Sequence, residues 1–156
     1  MRQILIAFLG MIFLVGCGTA NPYNAVYVEG IVVCDGTPAA NVHVTFVSTN
    51  NDGNSASGMT DDSGKYKLTT GGAPYGTGAL PALYNVTLSK FEVEGANLSE
   101  EEYKEQIGNR QPKVIHLIPE KYSDPETSGI EQVKVEKGKK NIFNFNISTR
   151  ADKKTD

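Results

Sequence analysis

Residues 42–47 read Val-His-Val-Thr-Phe-Val, and their alternation of apolar and polar side chains decides the predicted fold. A period of two places Val42, Val44 and Phe46 on one face of an extended strand and the polar residues on the other. Strands with one buried and one solvated face are typical of antiparallel sheets. The stretch therefore predicts a half-buried strand of an all-β domain.

The same period recurs along most of the chain. The other predicted strands span residues 26–33, 57–60, 65–69, 84–89, 131–136 and 142–147. Clusters of Gly, Asp, Asn and Pro separate these runs and are typical of tight turns. About seven short strands at this spacing predict a seven-stranded Greek-key β-sandwich.

Residues 91–112 depart from this pattern, and within them residues 99–108 predict a short helix. Ser99 and Glu102 have the spacing of a capping box, and Gly108 can end the helix. The helix offers little apolar surface, so we expect an insertion that lies on the surface of the sandwich. A polar tail is expected at residues 149–156.

The first sixteen residues, 1–16, have the features of a signal peptide. Their apolar run of about a dozen residues is shorter than the roughly 20 that a membrane-spanning helix needs. It ends in Leu-Val-Gly16-Cys17, which resembles the lipobox of bacterial lipoprotein precursors. This resemblance implies cleavage between Gly16 and Cys17, with a diacylglyceryl group and acyl chains such as palmitate on Cys17. The alternative is a soluble secreted protein in which Cys17 merely falls near the cleavage site.

On the lipoprotein interpretation, residues 17–24 are a small, polar tether between the lipid and the domain. Gly18 follows the cysteine where an aspartate would favour retention at the inner membrane. The resemblance therefore implies a cell-envelope protein of the outer membrane, with its domain facing the periplasm or the exterior.

The charge balance restricts the partners. The net charge is −3, and it becomes −4 once Arg2 is removed with the signal peptide. Since there is no surplus of basic residues to neutralise phosphates, nucleic acid is not an expected partner. Attachment to the membrane is expected to depend on the acyl chains.

Two motifs resemble those of carboxypeptidase regulatory-like domains. Residues 28–46 are similar to the family's opening strands and hairpin, and residues 60–68 are similar to its "T-D-x-x-G-x-Y-x-L" signature. The matching residues are Gly30, Gly36, Pro38, Asp61, Gly64 and Tyr66. Residues 82–88 resemble a third strand, although Ala82 and Leu88 depart from that pattern.

The resemblance implies a transthyretin-like sandwich over residues 25–148, with residues 91–112 as a poorly matched insertion. Residues 118–130 look like those of small bacterial lipoproteins built on this fold. In that segment Tyr122 is expected to bury its ring and secure its loop through its hydroxyl, as a tyrosine corner does. Such domains are mostly non-catalytic accessories.

No catalytic residues are predicted. His43 is expected to face solvent, and neither it nor His116 belongs to a nucleophile-elbow or His-x-x-x-His motif. Transthyretin-like hydroxyisourate hydrolases share the fold, but their histidine and arginine set and their C-terminal Tyr-Arg-Gly-Ser do not occur here. A hydrolase would need a cleft that joins one of these histidines to carboxylates. Cys34 is interpreted as a small apolar residue at a strand end, where Asp35 disfavours the thiolate.

Neither a metal site nor a cofactor is predicted. Residues 50–54 and 61–63 carry oxygen ligands that calcium could use, but tight turns require the same residue types.

Tyr75 lies in a glycine-rich loop, residues 71–78, and is the candidate ligand contact. An exposed ring there could stack on a sugar or on a partner side chain, whereas a structural role would have it cover the end of the sandwich. The sequence thus favours a non-catalytic structural or adhesive domain for envelope proteins or polysaccharide. The alternatives are a carbohydrate-binding accessory module and, less favoured, a transthyretin-like hydrolase.

Overall fold

Strands form most of the regular structure in the computed structural model, which describes residues 23–50 and 54–149. The predicted signal peptide, Cys17, most of the tether, residues 51–53 and the tail from residue 150 lie outside the described residues. The prediction of an all-β fold with one short helix is confirmed.

The elements follow one another in chain order. The strands are β1 (Val28–Cys34), β2 (Thr37–Pro38), β3 (His43–Ser48), β4 (Ser55–Met59), β5 (Lys65–Lys67), β6 (Thr69–Thr70), β7 (Leu83–Ser89), β8 (Phe91–Val93), β9 (Val114–His116), β10 (Val133–Lys134), β11 (Asn141–Ile142) and β12 (Phe145–Ile147). A helix, α1 (Glu100–Gln106), lies between β8 and β9, and a 3₁₀ helix, Glu120–Ser123, follows β9.

The first sheet is built around β1, which pairs with four other strands. Strands β5 and β11 flank its first half, and β2 and β12 flank its second half. The pairings with β11 and β12 are parallel, so the expectation of antiparallel pairing is wrong for these two strands. Side chains alternate between the two faces of a sheet in parallel and antiparallel ladders alike. The alternation therefore predicts which face is buried, but it does not predict the direction of pairing.

The second sheet has the strand order β10-β7-β3-β4-β6, with all pairings antiparallel. The predicted alternation is confirmed here, because Val42, Val44 and Phe46 are fully buried while His43 is exposed. The buried faces of the two sheets share one core.

Aromatic rings fill the middle of that core. The ring of Phe46 lies 5.8 Å from that of Tyr84, 5.7 Å from that of Phe143 and 6.2 Å from that of Phe145. Tyr66 stacks on Phe145 from the other side, at 6.2 Å. Since the chain has no tryptophan, these rings provide its largest buried apolar surfaces.

The described residues contain twelve strands where about seven were expected, because two predicted runs are divided and β2, β8 and β9 lie outside the predicted runs. In residues 65–69, Leu68 marks the point where the chain leaves the first sheet, at β5, and joins the second, at β6. In residues 142–147 the strand is interrupted between Ile142 and Phe145. The carbonyl of Phe143 passes so close to Gly30 that a Cβ on that glycine would lie 1.7 Å from its oxygen.

Two turns depend on unusual backbone angles. Asp35 and Gly36 both have positive φ, 49° and 83°, as a type I′ hairpin between β1 and β2 requires. At the second turn, Asp61 Oδ1 accepts hydrogen bonds from the backbone N–H groups of Ser63 and Lys65, at 2.8 and 3.0 Å. Gly64 there has a φ of 74°.

The tyrosine-corner geometry occurs at Tyr84 rather than at Tyr122. The hydroxyl of Tyr84 donates to the carbonyl of Leu80, four residues upstream, at 2.9 Å. Tyr122 is 8 % exposed and buries its ring as expected, and its hydroxyl accepts a hydrogen bond from the backbone N–H of Ser148 at 3.2 Å. It therefore ties the 3₁₀ helix to the end of the last strand.

The insertion is larger than its predicted helix. Helix α1 has the expected capping box between Ser99 and Glu102. The helix is carried by a hairpin, since β8 and β9 pair with each other in a separate two-stranded sheet. Residues 91–116 therefore form one unit, which we call the insertion. The first residue of the expected tail, Thr149, is held to Asp35 through its backbone N–H at 3.2 Å.

Candidate functional site

A groove of about 560 Å³ runs along β1 and β5. Pairing of Glu29 with Lys67 and of Ile31 with Lys65 places these four side chains together along it. Exposed apolar side chains also line it, namely Met59, Tyr75 and Ile142. The groove thus combines apolar surface with hydrogen-bonding groups, as binding sites for small ligands do.

Tyr75 is 80 % exposed, so it does not cover the end of the sandwich. Two hydrogen bonds from backbone N–H groups hold the part of its loop that follows it. Gly76 donates its N–H to the hydroxyl of Thr69 at 2.9 Å, and Gly78 donates to the carbonyl of Leu68 at 2.8 Å. A phenol ring on this loop can stack on a ligand or enter an interface.

Lys67, which lines the groove, lies over an exposed aromatic ring. Its Nζ lies 5.8 Å from the ring centroid of Tyr27, and the Tyr27 hydroxyl donates to Glu29 at 2.8 Å. Its interaction with the Tyr27 hydroxyl raises the pKa of Lys67, and the nearby Tyr75 contributes in the same direction. The ammonium is therefore charged at neutral pH.

The carboxylate of Asp61 accepts hydrogen bonds from groups within its own turn. Besides the two backbone bonds, Oδ1 accepts from the Ser63 hydroxyl at 2.7 Å. That hydroxyl, followed by the N–H of Lys65, lowers the pKa of Asp61. Across residues 23–50 and 54–149, no group of three or more His, Cys, Asp or Glu side chains could hold a metal ion. Residues 51–53 of the other calcium candidate lie outside this range.

The histidines lie on different sheets, and neither lines the groove. His43 is on β3, opposite Ser89. His116 is on β9, where its ring lies 6.4 Å from that of Phe91 and its Nε2 lies 3.9 Å from Glu120.

Cys34 ends β1 and is half-buried. Burial, and next the charge of Asp35, raise the pKa of the thiol, so it is protonated at neutral pH.

A second surface, missed by the sequence prediction, lies on the insertion. Register places Phe91, Val93, Val114 and His116 on one face of the β8–β9 hairpin, and we call this the hairpin face. Phe91 is 52 % exposed and Val114 is 53 % exposed. The sequence contains a signal for this hairpin, because apolar residues lie on both sides of the helix, at positions 91, 93, 114, 115 and 117.

Polar contacts also stabilise the insertion. Arg110 and Glu94 form a two-bonded ion pair, with both N···O distances 2.7 Å, and Glu94 also accepts the N–H of Lys113 at 3.1 Å. The guanidinium of Arg110, followed by that backbone bond, lowers the pKa of Glu94 to about 2. Glu94 thereby connects the end of β8 to the segment that leads into β9.

Comparison of the chain with models of known protein families, with curated proteins and with solved structures finds no match. Among the described helices there is none with the length and apolar character to cross a bilayer.

Proposed function

We propose that the protein is a lipid-anchored, non-catalytic interaction domain of the bacterial cell envelope, which binds a protein partner through the hairpin face. The observation that carries this proposal is the exposure of Phe91, Val93 and Val114 on one face of the β8–β9 hairpin. Clustered apolar side chains on a surface are typical of protein–protein interfaces. The anchor is supported by the resemblance of Leu14–Cys17 to a lipobox.

The proposal includes a finer description of the fold as a transthyretin-like Greek-key sandwich. It is supported by the two sheets that share one core and by the antiparallel pairing of β3 with β4 and β7. Gly30 and the Asp61–Gly64 turn lie at the motif positions that carry the family resemblance.

The anchor is tested by intact mass and membrane partitioning, with Cys17→Ser beside the unchanged protein. We expect a mature chain that begins at Cys17 and carries acyl chains, and we expect the substitution to abolish both the acyl mass and the partitioning. An unmodified, soluble product would contradict the anchor and would leave Cys17 available for a disulfide with Cys34.

The interface is tested by a photo-crosslinking amino acid at Val114 in cells, with Lys140 as the matched exposed control. We expect a discrete protein adduct at position 114 that is absent at position 140. Equal labelling at the two positions would contradict a specific interface.

Polysaccharide binding is a second candidate, favoured by the exposed ring of Tyr75 at the rim of the groove. Its test is retention on immobilised envelope polysaccharide. We expect Tyr75→Ala to reduce retention while Phe91→Ala leaves it unchanged.

A further inference from the structure

Exposed tyrosines lie at the start of the described chain and on the 71–78 loop. Tyr23 is 39 %, Tyr27 47 % and Tyr75 80 % exposed. Val26 pairs with Ala79 through two backbone hydrogen bonds, of 2.8 and 3.0 Å, and this bridge holds the start of the domain against the end of the 71–78 loop. We call Tyr23, Tyr27, Lys67 and Tyr75 the tether-end surface.

The length of chain between the predicted lipid and this surface is short. Only residues 18–22 separate Cys17 from Tyr23. Whatever path they take, a fully extended chain spans at most about 3.6 Å per residue, so Tyr23 lies within roughly 20 Å of the acylated cysteine. The tether-end surface is therefore restricted to the neighbourhood of the bilayer.

The hairpin face lies at the other end of the domain. Strand β7 begins at Leu83, shortly after the 71–78 loop, and ends at Ser89, two residues before β8 begins. A strand of seven residues is about 23 Å long at roughly 3.3 Å per residue. A bilayer beside the tether end would thus leave the hairpin face pointing away from the membrane.

The chemistry of the tether-end surface suits the bilayer interface. Tyrosine is enriched at the level of the lipid headgroups, where its ring is half in apolar surroundings and its hydroxyl is hydrated. Lys67, beside Tyr27, can place its ammonium among headgroup phosphates while its methylene groups stay against the rings.

We propose that the tether-end surface docks on the headgroup layer of the membrane, so that the domain stands with its hairpin face outward. This contact rests on the proposed anchor. The tether-end surface contacts the lipid headgroups, which the short tether brings within reach. This contact fixes the orientation of the domain, which the acyl chains alone would leave free.

The absence of tryptophan from the chain allows a direct test. Tyr75→Trp and, as the matched control, Phe91→Trp each introduce a single tryptophan at an exposed aromatic position. Both full-length lipidated proteins are reconstituted in vesicles of phosphatidylethanolamine and phosphatidylglycerol, a fraction of which carries bromine on the acyl chains. Tryptophan emission is then recorded with and without the brominated lipid.

We expect the emission of the Tyr75→Trp variant to shift to shorter wavelength in vesicles and to be quenched by brominated lipid, with no such change for Phe91→Trp. Protein that stays on the vesicles with neither variant quenched would overturn the docking and leave the anchor intact. Quenching of Phe91→Trp alone would overturn it by showing the opposite orientation.

Two further outcomes separate this inference from the proposals on which it rests. Protein that does not associate with the vesicles would overturn the anchor and the docking together. Emission of the Tyr75→Trp variant that responds to added envelope polysaccharide but not to brominated lipid would overturn the docking and favour the carbohydrate-binding function.

Discussion

The tether end and the insertion lie at opposite ends of β7 and are stabilised in different ways. Beside the tether end, the backbone bridge at Val26 joins a region in which Val28, Leu68 and Ala79 are completely buried. In the insertion, Ile107 is the one buried apolar side chain among the described residues, and it does not belong to the shared core.

Polar contacts replace apolar burial in the insertion. The capping box at Ser99, the Glu94–Arg110 pair and the Glu100–Lys104 pair are all at the surface. Exposed ion pairs each contribute little to stability, typically below about 1 kcal/mol. The comparison shows how one chain can combine a firmly packed sandwich with an appendage that opens at lower free energy.

The largest expected effect comes from removing the central ring of the core. Phe46→Ala should lower the free energy of unfolding by about 3–5 kcal/mol, because Phe46 is completely buried among three other rings. Ile107→Ala should leave the urea midpoint almost unchanged, because the insertion is packed separately from the core. Equal shifts of the two midpoints in urea denaturation would show that the two regions unfold as one.

A smaller but still large effect is expected at the crossing of β1 and the β11–β12 segment. Gly30→Ala adds a methyl group that meets the carbonyl of Phe143 and the ring of Tyr66. Since backbone must move, we expect a loss of about 1–3 kcal/mol in the free energy of unfolding. The control is Gly71→Ala, where an added Cβ has no atom within 4 Å. A Gly30→Ala protein as stable as this control would contradict the close approach.

The two tyrosine hydroxyls provide a finer comparison within the sandwich. Tyr84→Phe removes a 2.9 Å hydrogen bond and should cost about 1 kcal/mol in thermal unfolding. Tyr122→Phe removes only longer contacts to Ser148, of 3.2 and 3.4 Å, so its effect should be smaller. The reverse order would argue against Tyr84 as the tyrosine corner.

The smallest effect on global stability is expected from the ion pair of the insertion. Because the pKa of Glu94 falls from 4.5 to about 2 on folding, the stability that it provides is present above pH 4.5 and is lost as the pH falls towards 2. Amide exchange in residues 91–116 should therefore quicken over this range, before exchange in β3 and β7.

Arg110→Gln should quicken the same amides already at neutral pH, and it should return the pKa of Glu94 towards its ordinary value. Lys104→Gln, which breaks an exposed pair on the outside of α1, is the matched control. Exchange unaffected by Arg110→Gln would show that the hairpin is held by its strands alone.

Prediction from the sequence succeeded wherever a long alternating run packs on a core. Residues 42–47 and 84–89 are of this kind, because burial of one face imposes a period of two over six or more positions. The capping box at Ser99 was also predictable from the sequence, because its hydrogen bonds connect residues only three positions apart.

The remaining features depend on contacts between distant residues. The hairpin of β8 and β9 pairs segments of three residues separated by the whole of α1, and their apolar side chains face outward, so no buried face marks them. The tyrosine corner at Tyr84 was not foreseen, because the sequence does not show which carbonyl its hydroxyl meets. The groove arises where β5 is aligned with β1, a register that no local pattern encodes.

The central position of β1 has a consequence for the order of folding. Ile31 donates its N–H to the side chain of Asn144 at 3.0 Å, across 113 residues of sequence. Contacts of such long range form late, and one side of β1 has no strand to pair with until residues 141–147 are available. On the proposed lipoprotein pathway, the domain therefore completes its folding beside the membrane. Until then the open edge of β1 must be kept from pairing with other chains, which makes this strand the point at which a periplasmic chaperone would protect the protein.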